Sequence, residues 1–289
     1  YAMLASLPPV YGLYAATLPL IIYAIFGSSR QLAVGPVAIV SLMVADACSG
    51  LSSSGAEIGT IIAAATLIAL LAGLIQILLG IFKAGFLLNF VSHAVVSGFT
   101  SAAAIMIALS QVPGILRIEV ASSNSAITLI ISILKELKNT HFLSLIFAAL
   151  AALVLYIGKK RAWKFPVILP LTIVAILVTW FFKLEDYGLK CVGEVPGGFP
   201  AFKFNKFSLN DITSFLPATL GIVFIGVMES VAIGKLIATR EKYRINPDRE
   251  LIALGLANVG AAFFSGYPVT GGFSRTAVNY QAGAKSSAA

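Results

Sequence analysis

The stretch that decides the fold of this chain is Gly266-Tyr267-Pro268-Val269-Thr270-Gly271-Gly272-Phe273-Ser274-Arg275-Thr276. It interrupts an apolar run with one proline and three glycines, and it places polar residues where a new helix can begin. At membrane depth, irregular backbone is tolerated only where protein buries it or where it lines a polar cavity. A helix that begins there directs free N–H groups and the positive end of its dipole into that cavity. The stretch therefore predicts one half of an anion site.

The composition around this stretch indicates a membrane protein. Of the 289 residues, 58% are hydrophobic and 11% are charged, and the mean hydropathy is +0.95. Soluble domains carry about 25% charged residues. Several apolar runs are long enough to cross a bilayer as helices, and weak period-2 patterning argues against a membrane barrel. We expect an all-α polytopic protein in the lipid bilayer, and, since the chain opens at Tyr1 within an apolar run, a fragment whose residues 1–7 end a first helix.

The basic residues give the chain an orientation rather than a nucleic-acid partner. The net charge is +8, and the Lys and Arg residues concentrate in short loops between apolar runs, as the positive-inside rule expects. The two clusters that we assign to the cytoplasmic side, together with Arg30 and Lys83, are Lys159, Lys160, Arg161 and Lys164, and Arg240, Lys242, Arg244 and Arg249. We expect an integral, multi-pass protein of the cell inner or plasma membrane that binds no nucleic acid.

A second interrupted segment lies near the start of the chain. Gly35-Pro36 precedes only about a dozen apolar residues, which are too few to cross ~30 Å, so a half-helix is predicted there. Inverted-repeat transporters place substrate between discontinuous helices in corresponding positions of the two halves. If Ile212 opens a second repeat, the two breaks correspond, and two facing helix N-termini could bind an anion. The alternative is that both breaks are kinks or loop ends.

Two charged residues near the breaks require a partner or a role. Glu229 lies well inside an apolar run, where a charge costs about 2.5–3.5 kcal/mol on insertion scales. It could bind a co-transported H⁺ or Na⁺, or it could form a structural hydrogen bond to a neighbouring helix. Arg275 either binds the anion or pairs with Glu229, and the sequence weighs these two alternatives equally.

Other polar residues argue against a catalytic or metal site. Cys48 and Cys191 have no metal spacing and are expected to be unrelated thiols, with a disulfide between them as the alternative. A membrane enzyme would need a nucleophile–base pair or a metal cluster at depth, and both histidines lie near predicted boundaries, so we expect no catalytic residue, no enzyme activity and no cofactor apart from the coupling ion. Gln76 and Asn258 are predicted to form interhelical hydrogen bonds.

Several motifs, spread in order along nearly the whole chain, resemble those of a known family. They are Ala2-Met3-Leu4-Ala5-Ser6-Leu7-Pro8-Pro9-Val10-Tyr11-Gly12-Leu13-Tyr14, Phe26-Gly27-Ser28-Ser29-Arg30, Ala33-Val34-Gly35-Pro36-Val37-Ala38, Asn89-Phe90-Val91-Ser92-His93, Ser97-Gly98-Phe99-Thr100-Ser101-Ala102-Ala103 and Gly271-Gly272-Phe273-Ser274-Arg275-Thr276. The chain resembles the SulP (sulfate permease) family of anion transporters, which includes pendrin and prestin.

The resemblance implies a uracil-permease-like fold of two inverted repeats of seven membrane segments each, with two half-helices meeting at the midplane. It implies that residues 1–289 form a transmembrane transport domain, a fragment covering about segments one to ten, in which residues 1–182 are the first repeat and residues 212–289 begin the second. The STAS domain that the family usually carries is not in this chain. The family is usually a homodimer.

The resemblance also implies site residues and an activity. The family's anion lies between two helix N-termini that correspond here to Pro36, Val37 and Ala38, and to Phe273, Ser274 and Arg275. Tyr1 corresponds to an aromatic residue that lines the site, and Glu229 to the acidic position of coupled symporters. We expect secondary active transport of a small inorganic anion, sulfate first, by H⁺ or Na⁺ symport with alternating access. The alternatives are a bicarbonate/Na⁺ symporter and an uncoupled exchanger or channel of the same family.

Overall fold

The computed structural model describes residues 1–89, 93–118, 120, 126–161, 167–189, 191, 198–200, 202–203 and 207–287. Helices dominate this part of the chain, and a pair of two-residue strands is added to them. The helices are α1 (Pro9–Phe26), α2 (Ala38–Ala47), α3 (Ser49–Ser53), α4 (Ile58–Ile81), α5 (His93–Leu116), α6 (Ala126–Glu136), α7 (Phe142–Lys160), α8 (Ile168–Phe181), α9 (Leu209–Arg240), α10 (Pro247–Phe263) and α11 (Phe273–Gln281). The strands are β1 (Val34–Gly35) and β2 (Thr270–Gly271).

Membrane-spanning length is met in several places within the described ranges. Helices α1, α4 and α9 are each long and apolar enough to cross a bilayer alone. Residues Ala126–Asn139 and Phe142–Gly158 pass the same test together but meet at a bend of 116°. Helix α2, with 10 residues, is one of the shorter apolar helices, and α11, with 9, is shorter still. The all-α polytopic prediction and the two half-helices are therefore confirmed.

The start of the chain agrees with the expectation that residues 1–7 end a helix. Met3–Ala5 form a 3₁₀ helix, the Ala5 amide donates to the Tyr1 carbonyl at 3.1 Å, and Ser6 ends the turn with a left-handed φ of 59°. Pro8 and Pro9 explain the break: a residue before proline is driven out of the helical region, while Pro9 suits the first position of α1.

The chain forms two compact units. The first contains Tyr1–Thr100 and Val195–Ala289, and the second contains Ser101–Glu194. Both interrupted segments therefore belong to the first unit, although they come from opposite ends of the sequence. In the second unit, α6 buries Leu129 and Ile133, and His141 bonds to Ser144 and to the Tyr187 carbonyl. The repeat boundaries at residues 182 and 212 stay a prediction.

The first unit is organised around a close contact between α4 and α10. A Cβ atom added to Gly73 would lie 2.7 Å from the Gly255 carbonyl oxygen, and one added to Gly255 would lie 2.7 Å from the Gly73 carbonyl oxygen. The two backbones thus touch, because neither position carries a side chain. Small residues at membrane helix interfaces permit this approach, which gains dispersion contacts along the whole interface.

Substitution of Gly73 tests this contact. We expect Gly73→Val to force α4 and α10 apart and to destabilise the protein by about 1–3 kcal/mol, as overpacking does elsewhere. Gly59→Val is the matched control, since it lies in the same helix and a Cβ there meets no atom within 4 Å. Thermal unfolding in detergent measures both, and equal melting temperatures for the two variants would contradict the contact.

Candidate anion site

The two interrupted segments pair directly with each other. Strands β1 and β2 are antiparallel, with Val34 opposite Gly271 and Gly35 opposite Thr270. The Gly272 N–H continues the ladder by donating to the Ala33 carbonyl at 3.2 Å. Inside a bilayer an unpaired backbone group costs several kcal/mol, so this pairing satisfies the irregular backbone of both segments at once. Sequence reasoning predicted two facing breaks but not a ladder between them.

Each strand leads into a half-helix whose N-terminus has no side-chain cap. Helix α2 follows Val37 and α11 follows Gly272, and neither of these residues forms a capping side-chain hydrogen bond. The first bonds are Ser41 N–H to the Val37 carbonyl and Thr276 N–H to the Gly272 carbonyl, each at 3.0 Å. The amides of residues 38–40 and 273–275 therefore have no acceptor in their own helices.

The long helices α9 and α10 begin differently. Ser208 accepts from the Asp211 amide at 3.2 Å, and Asn246 accepts from the amides of Asp248 and Arg249 at 3.0 and 3.2 Å. Ser and Asn are strongly preferred at this position, whereas Val is strongly disfavoured and Gly has no side chain to offer. The half-helices thus leave open the donors that α9 and α10 satisfy with their own side chains.

The structure brings several predicted site residues together. The Arg275 guanidinium lies against Gly35, so closely that a Cβ on Gly35 would overlap it. Val37 faces Gly272, since a Cβ there would lie 2.8 Å from Val37 Cγ1. The phenols of Tyr1 and Tyr267 lie within electrostatic range of Arg275. Residues from three separate stretches of sequence thus meet beside the ladder.

The predicted residues differ in their access to ligand. Pro36, Val37 and Ala38 are buried, while Tyr1 and Phe273 are 50% and 56% exposed. Ser274 is exposed and Arg275 is half-buried. A ligand at this site would therefore meet side chains on the α11 half and on Tyr1, and backbone on the α2 half.

A relay of hydroxyl groups holds β2 against α9. The Ser230 hydroxyl oxygen accepts from the Gly271 N–H at 2.7 Å and lies 2.6 Å from the Thr270 hydroxyl. The Thr270 hydroxyl donates to the Gly226 carbonyl, so its single proton is used there and Ser230 must be the donor between the two hydroxyls. Sequence reasoning missed Ser230 and Thr270; their only signal was their position beside Glu229 and the glycine pair.

An amide cluster holds the other side of the same segment. Asn258 accepts from the Val269 N–H at 2.8 Å and donates to the Val269 carbonyl at 2.9 Å. It also donates to Gln76 Oε1 at 3.0 Å, which links α10 to α4. The interhelical hydrogen bond predicted for Gln76 and Asn258 is confirmed, and Asn258 also fixes the strand that leads into α11.

Glu229 has a buried carboxylate oxygen with an unmet hydrogen-bonding capacity. Its Oε2 atom is buried and has no hydrogen-bond partner within the residues that the structure describes. The ion pair with Arg275 that the sequence left open is not formed there, because the guanidinium lies at Gly35. Buried polar atoms are paired in the great majority of cases, so an unpaired one in a native structure requires an explanation such as an absent ion or proton.

Comparison with known proteins places the chain in a family. A family model described as "Sulfate permease family" matches residues 1–289. The chain belongs to the sulfate permease family. Its relatives include Sulfate transporter 4.1, chloroplastic, of Arabidopsis thaliana, with 38% identity over 291 residues, 99% of this chain and 42% of the relative. Low affinity sulfate transporter 3 of Stylosanthes hamata is 33% identical over 304 residues, which cover 99% of this chain and 47% of that protein.

Solved structures agree with this assignment. The murine Solute Carrier 26 family member A9 anion transporter in the inward-facing state has a TM-score of 0.89 and 26% identity, over 99% of this chain and 51% of that chain. The transmembrane domain of the cyanobacterial bicarbonate transporter BicA shares the fold, with a TM-score of 0.82 at 20% identity, over 99% of this chain and 73% of that chain. The chain spans less than half the length of the two curated relatives described above.

In this member of the sulfate permease family, a second buried carboxylate fixes the segment that precedes β1. Sequence reasoning did not identify this residue. Glu250, in the first turn of α10, is 1% exposed. One of its oxygens accepts from the Tyr23 hydroxyl at 2.6 Å, and the other accepts from the Ser28 amide at 2.7 Å, the Ser28 hydroxyl at 2.6 Å and the Ser29 amide at 2.9 Å. An acidic residue at a helix start usually interacts only with the helix dipole, so its spacing carried no signal for this role.

Removal of the Ser230 hydroxyl tests the support of the ladder. Ser230→Ala leaves the Gly271 amide without its acceptor, which we expect to cost about 1–3 kcal/mol of folding stability. Ser214→Ala on the same helix is the control, because that serine is exposed and its hydroxyl donates to the Asn210 carbonyl one turn earlier in the helix. Thermal unfolding and hydrogen exchange at Gly271 measure the effect. Unchanged hydrogen exchange at Gly271 in Ser230→Ala would show that this serine does not support the ladder.

Proposed function

We propose that this chain forms the anion-translocating part of a secondary active transporter, with sulfate as the first substrate. The observation that carries the proposal is the pair of uncapped helix N-termini joined by the β1–β2 ladder, with Arg275 beside them. Aligned peptide dipoles place roughly half a positive charge at each N-terminus, and the guanidinium adds a full one. Together they complement an anion with several acceptor oxygens.

Sulfate fits this donor set by charge and by shape. It is a tetrahedral dianion whose oxygens can accept from amides of both half-helices and from a guanidinium at the same time. Several curated relatives are named sulfate transporters, which supports this choice. Bicarbonate, a smaller monoanion, is the alternative substrate, and an uncoupled exchanger or channel is the alternative mechanism.

Glu229 is proposed to couple transport to H⁺ or Na⁺. It lies in the turn of α9 between Gly226 and Ser230, the two α9 residues that bond to β2 and so hold the anion-binding segment. A bound cation would supply the partner that its Oε2 atom lacks among the described residues, and it would offset the charge of the anion during alternating access. The homodimer and the plasma-membrane location are proposals as well; one relative is named as chloroplastic.

A negative charge at the α11 N-terminus tests the anion site. Ser274→Glu places a carboxylate among the free amides of α11, so it should compete with substrate and reduce sulfate uptake into proteoliposomes by at least about tenfold. Ser274→Gln is similar in size and neutral, and it should retain most of the uptake. Equal uptake by the two variants would show that the anion does not bind at this helix terminus.

A smaller change on the opposite segment tests the position of Arg275. The Cβ of Gly35→Ala overlaps the guanidinium, which is the mobile end of a long side chain and can move away. We expect a several-fold weaker apparent affinity for sulfate with little change in melting temperature. Gly50→Ala is the control, since a Cβ there meets no atom within 4 Å. An unchanged affinity in Gly35→Ala would separate Arg275 from substrate binding.

Neutralisation of Glu229 tests the coupling role. Sulfate uptake should rise with an inward H⁺ gradient or with external Na⁺, and Glu229→Gln should abolish that dependence because the amide cannot take up either cation. Glu57→Gln, at an exposed carboxylate, should keep it. Uptake in Glu229→Gln that still follows either gradient as in the unaltered protein would exclude this coupling residue.

A further inference from the structure

We propose that the first unit binds the phosphate head group of one anionic phospholipid. The binding site is a cavity beside Lys83 and Arg249, separate from the anion site. The cavity has a volume of about 580 Å³ and lies where α1 and α4 end and α10 begins. Its lining includes the apolar side chains of Phe26, Ile81 and Ile252 and the charged side chains of Lys83, Arg249 and Asp248. This volume is in the range of small-molecule sites.

Lys83 supplies a cation that has no partner among the residues that the structure describes. It follows the last turn of α4 with a left-handed φ of 55°, a conformation that usually selects glycine at the end of a helix. Its ammonium group forms no hydrogen bond or ion pair with any residue that the structure describes. A lysine at a strained position on a cavity wall, with no partner in the described ranges, is available to a phosphate.

Arg249 supplies a second cation, which a hydrogen bond to α1 holds in place. Its Nε–H donates to the Phe26 carbonyl at 2.8 Å, so the guanidinium is tied to the end of α1. Its terminal N–H groups have no acceptor among the described residues, so they can make a bidentate contact with phosphate oxygens, as arginine commonly does.

The acidic residue on the wall is already engaged. One oxygen of Asp248 accepts from the Gly85 amide at 2.8 Å. Asn246 accepts from the amides of Asp248 and Arg249, so the α10 N-terminus does not itself provide the donors. The two cations outnumber the one carboxylate, and a ligand with a net negative charge is favoured.

The surroundings favour a lipid over a soluble phosphate. Phe26, Ile81 and Phe82 are 45%, 60% and 78% exposed, and they end the two apolar helices beside the cavity. At the end of a membrane span such side chains face acyl chains, while the adjacent cations lie at the depth of the head groups. An anionic phospholipid satisfies both surfaces, whereas inorganic phosphate would contact only the cations.

Lipid titration of the purified protein tests the site. Native mass spectrometry in detergent should show one phosphatidylglycerol bound in preference to phosphatidylcholine. The double variant Lys83→Gln/Arg249→Gln should have an affinity for phosphatidylglycerol that is lower by at least about tenfold. Each cation near an anionic head group raises the affinity by roughly fivefold. Lys83→Gln alone should weaken binding several-fold without loss of folding, because that side chain has no partner within the described residues.

Lys242→Gln/Arg244→Gln is the matched control, because it removes the same charge from exposed residues at the same end that do not line the cavity. It should leave phosphatidylglycerol binding unchanged. An equal loss in both double variants would show general attraction to a basic surface and would overturn the site. Displacement of the lipid by an equal concentration of inorganic phosphate would overturn the choice of a lipid.

Discussion

The pairing of two residues of β1 with two residues of β2 is the constraint on which the rest of the first unit depends. Both segments must break helical hydrogen bonding inside a hydrophobic protein, and each would leave N–H and carbonyl groups unpaired if it did so alone. By pairing antiparallel, they satisfy each other and set two helix starts side by side. The two interrupted segments thus create the anion site, and their pairing with each other offsets the free-energy cost of the interruptions.

Polar side chains then hold this short ladder from both sides. The hydroxyl relay from Gly226 through Thr270 and Ser230 connects it to α9, and Asn258 connects it to α10 and α4. In a medium of low dielectric constant a fully paired network of this kind is strong and rigid, and a partly paired one is costly. Neither half-helix has a side-chain cap, so its N-terminal amides are not held in place by capping bonds. A rigid support keeps these donors directed at a small ligand.

The charges near the ladder are not arranged as a stabilising ion pair. Arg275 lies against β1, and Glu229 keeps a buried oxygen without a partner among the described residues. Elsewhere in the same unit the carboxylate of Glu250 accepts four hydrogen bonds, so the fold can satisfy a buried acid where only stability is required. The difference between the two carboxylates supports a ligand-binding role for Glu229 and a positioning role for Glu250.

The sequence by itself determined the membrane class, the two half-helices and the interhelical hydrogen bonding of Gln76 and Asn258, because apolar length, helix breakers and polar residues within apolar runs are visible without the fold. It could not determine the β1–β2 register, the place of Arg275 at Gly35, or the partners of Glu250, since each joins residues that lie more than two hundred positions apart. Only the tertiary structure decided which unpaired groups found partners, because hydrogen bonding in a buried site depends on what folding brings within 3 Å or so.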